Sequence, residues 1–423
     1  MPVQTMDFAA PSFRTDPFPA WSDLRRAGPL HRDVSGAWIV VSHREVGRLL
    51  ADPRVGKDLR RLSTYGAQRP YGPDGLAEYY IEQWMECRLP TMHRRWRQLV
   101  LPGFTHRAVH GLRAELCRTA DDLLTHALTH APSDGQVDLL RDFARPFPVA
   151  VIVRVLGLTD LDTDRLAQLS RTIAAVLEPN AAVSAREAGD AALAELAGLL
   201  WDAVRADRGP HPDGFLRRLV DANKGLLSPE QLIATVLLLF LSGNDTITGL
   251  IANGVLALAS VPDQADRLRA HPELLPMAVE EVLRFDAPAC VAVRTTYEPM
   301  TIDGVTVERG AALLLAISSA NRDPAAFAEP DVFRVDRRPI RHFAFGSGDH
   351  TCVGIGLARM EATIALEALL HRFPRLTHDP STLRWSDALY LRSPENLVLL
   401  CTVPPAPERA CGVPEVGLGR DLG

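Results

Sequence analysis

The sequence predicts a single, mainly helical domain with small accessory sheets. Between Arg94 and about Ser260, apolar residues recur almost throughout at the spacing of a helix face. Strand patterning is confined to short stretches, AWIVVSH (Ala37–His43) and TIDGVTVERGAALLLAI (residues 301–317). No internal repeat and no Gly/Ser/Pro-rich linker cuts the 423 residues into independent units.

The elements follow in order. The opening MPVQTMDFAAPSFRTDPFPAW has no basic segment leading into an apolar one, so no secretory signal is read there. Ala37–His43 is a strand, and REVGRLLADPRV is a short helix that must stop before Pro53. Residues 60–90 carry several Gly and Pro and read as a long loop. It holds Tyr65, Tyr71, Tyr79 and Tyr80, four of the six tyrosines. Ser228-Pro229-Glu230-Gln231 is a helix start: Ser228 caps, Pro229 suits the first turn, and Gln231 closes a capping box. Apolar residues then continue to about Ala259, which at ~1.5 Å per residue gives a buried helix ~45 Å long. Its most apolar run, Leu232–Leu241, is broken by Ser242, Gly243, Asn244 and Asp245 and is too short to span a bilayer. HPELLPMAVEEVLRF is a further helix, and Asp303-Gly304 turns one strand into the next. The domain is expected to cover residues 1–403. The Pro/Gly-rich end, residues 404–423, is expected to be a disordered tail.

Apolar residues make up 47% and charged residues 23%, an ordinary soluble composition. A net charge of −6 argues against a generic binder of nucleic acid or anionic membrane. With no signal and no anchor, the expected location is the cytoplasm. The cysteines are Cys87, Cys117, Cys290, Cys352, Cys401 and Cys411, and no two have the C-x-x-C spacing of a zinc or redox site. They are expected to be mostly free thiols, so a chemically active one acts alone.

Cys352 stands out by its setting, FAFGSGDHTCVG (Phe343–Gly354). Gly346 and Gly348 permit positive φ or close approach to something large and flat. A helix is expected from about Val353 to His371, and its N-terminus favours a thiolate at Cys352. A single thiolate in an apolar setting needs a cation, and a lone ligand points to a metal whose other positions a cofactor fills. Haem iron meets that requirement. A buried cysteine after a glycine turn is common, but F-G-x-G-x-H-x-C-x-G arises by chance on the order of one time in a million.

The segment resembles the haem-binding loop of the cytochrome P450 family, the haem-thiolate monooxygenases. Further motifs follow in that family's order and extend the resemblance over nearly the whole chain. Glu281-Val282-Leu283-Arg284 resembles E-x-x-R. An i, i+3 pair alone reads as a surface ion pair. The resemblance implies instead a buried lock closed by Arg337 of FRVDR. Ser242-Gly243-Asn244-Asp245-Thr246 resembles the small-Gly-x-acid-Thr signature of the family's distal helix. A bond from Thr246 back to the Ser242 carbonyl would distort the helix there. His93-Arg94-Arg95-Trp96-Arg97 resembles H-x-x-x-R. By that match His93 and Arg97, with Arg294 and His350, bind haem propionates. Asn321-Arg322-Asp323-Pro324 fits the pattern as a structural segment. Two departures stand out: RLPTM precedes His93, and Ile247 stands where a second Thr is frequent.

The resemblance implies the cytochrome P450 fold, a single triangular domain crossed by a long distal helix. It implies haem b on the Cys352 thiolate, cradled by Phe345, Gly346 and Gly354. Gly243, Asp245 and Thr246 would shape O2 binding and proton delivery. The reaction implied is insertion of one atom of O2 into an organic substrate, with a ferredoxin and its reductase as electron donors to a monomeric enzyme. The substrate pocket is expected along Leu241, Ile247 and Ala289, Cys290, Val291, Ala292 and Val293, which suits a bulky apolar ligand such as a secondary-metabolite intermediate. Two alternatives stand beside this. The same parts serve coupling, epoxidation, decarboxylation or nitration, and some relatives act only as non-catalytic auxiliaries. Joint retention of Cys352, Asp245 and Thr246 argues against the auxiliary.

Overall fold

The computed structural model describes residues 5–8, 10–65, 75–132, 135–176, 182–205, 214–388 and 390–400. Most of them are helical. The main sheet has six short strands, β1 (Thr5–Met6), β2 (Leu30–Asp33), β3 (Trp38–Val40), β4 (Val55–Gly56), β5 (Val291–Thr296) and β6 (Ala312–Ala316). Their spatial order is β1-β2-β3-β6-β5-β4. The hairpin Met300–Ile302/Val305–Val307 turns where expected, with φ of +48° at Asp303 and +75° at Gly304. The expected tail, 404–423, lies outside the described residues, as does Tyr71.

Residues 60–90 are not all loop. Leu76–Gln83 forms a helix, α1, whose Ala77, Glu78, Tyr80 and Ile81 are buried. Its eight residues sit among Gly- and Pro-rich neighbours that mask a helical period so short. The Tyr65 hydroxyl lies within hydrogen-bond distance of the carboxylates of both Glu78 and Glu82 of that helix, which ties the end of the preceding segment down. Tyr79 and Tyr80 meet edge to face. The helices that matter for the site are α2 (Pro90–Val100), α3 (Arg113–Thr129), α4 (Pro229–Ser242), α5 (Asn244–Ser260), α6 (Leu275–Phe285) and α7 (Ile355–Arg372). Helix α7 packs on α3, α5 and α6, and this group forms the largest apolar core. Between Arg94 and Ser260 the helical run is interrupted by the strand Gln136–Asp138, which pairs with Val398–Leu400.

The long helix expected from Ser228 is two helices. Its start has the full capping box, with Ser228 Oγ accepting from the Gln231 N–H and Gln231 Oε1 from the Ser228 N–H. It stops at Ser242 and resumes at Asn244. The cause is local: Ser242 Oγ bonds the Leu238 carbonyl (2.5 Å) and Thr246 Oγ1 bonds the Ser242 carbonyl (2.9 Å). Hydroxyls that bond back to i−4 carbonyls compete with the backbone ladder and open the helix. By length and composition Pro229–Ser260 could cross a membrane, but 78% of its most apolar window is buried against the rest of the protein.

Candidate functional site

The cysteine loop is built by its backbone. The Cys352 N–H bonds the Phe345 carbonyl (2.9 Å) and the Gly346 N–H bonds the Phe343 carbonyl (2.8 Å). Gly346 and Gly348 have φ of +70° and +69°, which an L side chain rarely adopts. A Cβ on Gly348 would lie 2.9 Å from backbone atoms of Leu50 and Ala51, so the loop packs there backbone to backbone. Helix α7 starts at Ile355, two residues later than expected, with Gly354 as its cap. Cys352 is exposed yet surrounded by protein. Desolvation raises its thiol pKa, while the Gly354 N–H and the charges of Arg97 and Lys57 pull it down. Exposure inside protein marks the wall of an interior slot. Cys87 is also a free thiol but is buried, and desolvation drives its pKa up strongly. Against the expectation of mostly free thiols, Cys117 is disulfide-bonded.

Cations converge on one end of that slot. His93 is buried and sits between the Met85 and Asp349 carbonyls, at 3.0 and 2.9 Å. Its ring lies 4.4 Å from that of His350. His350 Nδ1 is buried without a hydrogen-bond partner. Desolvation, with Lys57, Arg294, His93 and Arg97 nearby, pushes the His350 pKa down to about 2. Arg294 is brought down to about 10 by burial. Arg97 is also lowered by burial, against the opposing pull of Cys352 and Asp349. Neither Arg97 nor Arg294 forms an ion pair among the described residues. Lys57 and Glu86, which pair with each other at this end, belong to no motif in the sequence.

Behind the loop, buried Glu281 accepts from Arg284 (2.7 and 2.8 Å) and from Arg337 Nε (3.0 Å). Arg284 also bonds the Asn321 and Pro330 carbonyls, and Arg337 those of Ala328, Glu329 and Val332. Asn321 Oδ1 accepts the Phe343 N–H (2.8 Å), which carries this network into the cysteine loop. Sequence reasoning missed a second clamp beside it. Glu280 takes two bonds from Arg359 of α7, both 2.7 Å, and faces His342 at 3.3 Å. Burial alone would raise the Glu280 carboxyl, but these partners hold it at about 2. The Arg359 guanidinium also lies 5.3 Å from the centre of the Phe345 ring.

On the other side the α4–α5 break presents Gly243, Asp245 and Thr246. A Cβ at Gly243 would meet nothing nearer than the Leu239 carbonyl at 3.8 Å. Asp245 is half-buried, and its charge bears on Arg145. Asn244 turns inward, donating to Ser170 Oγ at 2.9 Å. Leu241 and Ile247 are buried in the main core.

The expected lining from Ala289 to Val293 does not form one face. Strand alternation sends Val291 and Val293 into a cluster with Met6, Phe8, Trp21 and Leu314, and Cys290, just before the strand, joins the same cluster. Ala292 points the other way, against Trp38, Val40 and Leu315, on the face that carries Arg294. Ala289 bridges Leu391, and Cys290 and Leu391 both line a small crevice with Phe13 and Trp385. Of this run, Ala292 shares the Arg294 face, while Val291 and Val293 do not. A run of small apolar residues gave no signal of which faces they present.

These residues fit haem. An exposed thiol stands in an interior slot, an orphaned imidazole nitrogen faces a ring of cations, and those cations outnumber their local anions, as a dianionic cofactor requires. The family profile described as Cytochrome P450 matches residues 206–400. The chain is 36% identical over 394 residues, 91% of each protein, to cytochrome P450 monooxygenase PikC of Streptomyces venezuelae. It is 29% identical over 397 residues to polyketide biosynthesis cytochrome P450 PksS of Bacillus subtilis, covering 91% of this chain and 96% of PksS. The crystal structure of CalO2 superposes with a TM-score of 0.87 at 30% identity, covering 95% of this chain and 99% of that one. The order of elements, the thiolate slot and these likenesses lead to one conclusion: the chain belongs to the cytochrome P450 family, as a haem-thiolate monooxygenase that carries iron protoporphyrin IX and uses O2 as co-substrate.

Proposed function

We propose that this enzyme inserts one oxygen atom of O2 into a bulky, largely apolar secondary metabolite of polyketide type. A ferredoxin and its reductase supply the two electrons. The observation that carries this is likeness over nine-tenths of the chain to relatives that include a polyketide-biosynthesis enzyme. The apolar surroundings of the α4–α5 break agree with it.

Haem held by a thiolate supplies O–O bond cleavage. Each residue has a task around it. Cys352 would supply the thiolate that holds the iron, with the Gly354 N–H directed at its sulfur. His93, Arg97, Arg294 and His350 receive the propionates. Phe345, Gly346 and Gly354 bound the slot on the cysteine side. Glu281, Arg284 and Arg337 fix the segment from which the loop departs. Thr246 would hold a water by its hydroxyl, and Asp245 would return a proton to that water from the side of Arg145. Arg94 and Arg95 are exposed on α2 next to the cysteine loop, and their charge attracts an acidic ferredoxin.

The test is turnover under ¹⁸O2 with a plant-type ferredoxin, its reductase and a panel of macrolide and linear polyketide scaffolds. One labelled atom should appear in the product of at least one scaffold. Reduction should slow as salt is added, and also on Arg94→Glu or Arg95→Glu. Products without label, or reduction indifferent to both salt and charge reversal, would contradict the proposal.

A further inference from the structure

Lys57 lies one residue beyond β4, whose Gly56 faces Thr295 of β5 in antiparallel register. Continuing that register puts Lys57 opposite Arg294, so the two cations project on the same face of the sheet. Like charges in that position repel unless anions lie between them. One does: Lys57 Nζ pairs with Glu86 Oε2, with both side chains about 30% exposed. Arg294 and His93 also bear on the Glu86 carboxylate. Lys57 is close enough to His350 and to Cys352 for its charge to act on both.

Counting charges at this end of the slot sharpens the point. Lys57, Arg97 and Arg294 bring three positive charges, and Glu86 brings one negative. Asp349 is engaged by Arg94 at 2.9 Å, and Asp58 by Arg60 at 2.8 Å. The excess of two equals the charge of two propionates. Glu86 satisfies one ammonium direction and leaves the others for a ligand.

We propose that Lys57 is a cofactor-holding residue, donating from the β4 side to a haem propionate, and that Glu86 is its positioning partner. Lys57 joins His93, Arg97, Arg294 and His350 as a fifth contact. The pair would also tune the iron, because the Lys57 charge already acts on Cys352 and His350. Losing the lysine charge favours the oxidised, more positive iron and lowers the reduction potential. Losing the glutamate charge does the opposite.

The experiment uses the haem-loaded full chain and three variants, Lys57→Met, Lys57→Arg and Glu86→Gln. The readouts are haem transfer to excess apomyoglobin and the Fe(III)/Fe(II) potential by spectroelectrochemistry. Lys57→Met should lose haem roughly tenfold faster, as for a charge-assisted bond removed from a shielded site. Its potential should fall, while that of Glu86→Gln should rise. Lys57→Arg, which keeps the charge, should stay within about twofold of the parent in haem loss. Potentials that shift in the same direction, or Lys57→Arg losing haem as fast as Lys57→Met, would assign the pair a packing role and overturn the proposal. So would unchanged haem loss and potential in Lys57→Met. The thiolate-type Soret band of the reduced CO complex, recorded for every variant, reports separately on Cys352.

Discussion

Glu280 and Glu281 are neighbours on α6, and their surroundings give them different work. Glu281 is fully enclosed between two arginines and holds the segment before the cysteine loop. Glu280 reaches the loop itself at His342 and the helix after it at Arg359. Its folded pKa, about 2, lies below the ordinary 4.5. A depressed carboxylate contributes stability that is present above the unfolded pKa and is lost as pH falls toward the folded one. Glu280→Gln should therefore cost on the order of 2–3 kcal/mol at pH 7, with the gap to the parent closing below about pH 4.5. Urea unfolding of the haem-loaded protein across that range checks it; a gap independent of pH would exclude the ionic role. Only half of this arrangement was legible in the sequence. Glu281 and Arg284 are one helical turn apart and Cys352 is framed by close glycines, but it is the motifs taken together, not either feature alone, that flag them. The partners of Glu280 lie 62 and 79 residues away, and no local pattern reports a contact so distant.

At the scale of the element, the α4–α5 break is where sequence and structure part most instructively. The apolar period and the cap at Ser228 set the helix start and its burial, and the bond from Thr246 to the Ser242 carbonyl is foreseeable from i, i+4 spacing. That the ladder gives way at Gly243 depends on two hydroxyls acting together, Ser242 on Leu238 and Thr246 on Ser242. Thr246 and the half-buried Asp245, consecutive in α5 just past the break, point about 100° apart, so one can face the slot while the other faces Arg145. A proton relay needs both. Thr246→Ala should keep haem and substrate binding and still consume reductant, yet lose roughly tenfold or more in product per electron, with hydrogen peroxide rising to match. Asp245→Asn should slow turnover and enlarge the solvent isotope effect. Thr246→Ala forming as much product per electron as the parent, without extra peroxide, would remove the hydroxyl from the relay.

Across the whole molecule, the motifs run in order from His93 to Gly354, and α7, which follows the cysteine loop, packs on α5 and α6, which carry two of them. That order made the fold class and the cysteine loop legible from the chain. The faces of β5 were not, because a run of small apolar residues looks alike on both sides and only pairing with β4 and β6 decides which side Arg294 takes. Lys57 escaped for the same reason, since its place opposite Arg294 exists only in the sheet. What unites these parts is a thiolate at Cys352, which alone among the described cysteines is exposed; Cys87 and Cys290 are buried. The most direct measurement is the absorbance of the reduced CO complex of the purified protein and of Cys352→Ala. The parent should show the strongly red-shifted Soret band of thiolate ligation and Cys352→Ala should lack it. A Cys352→Ala protein that kept the band, or a parent without it, would contradict the assignment.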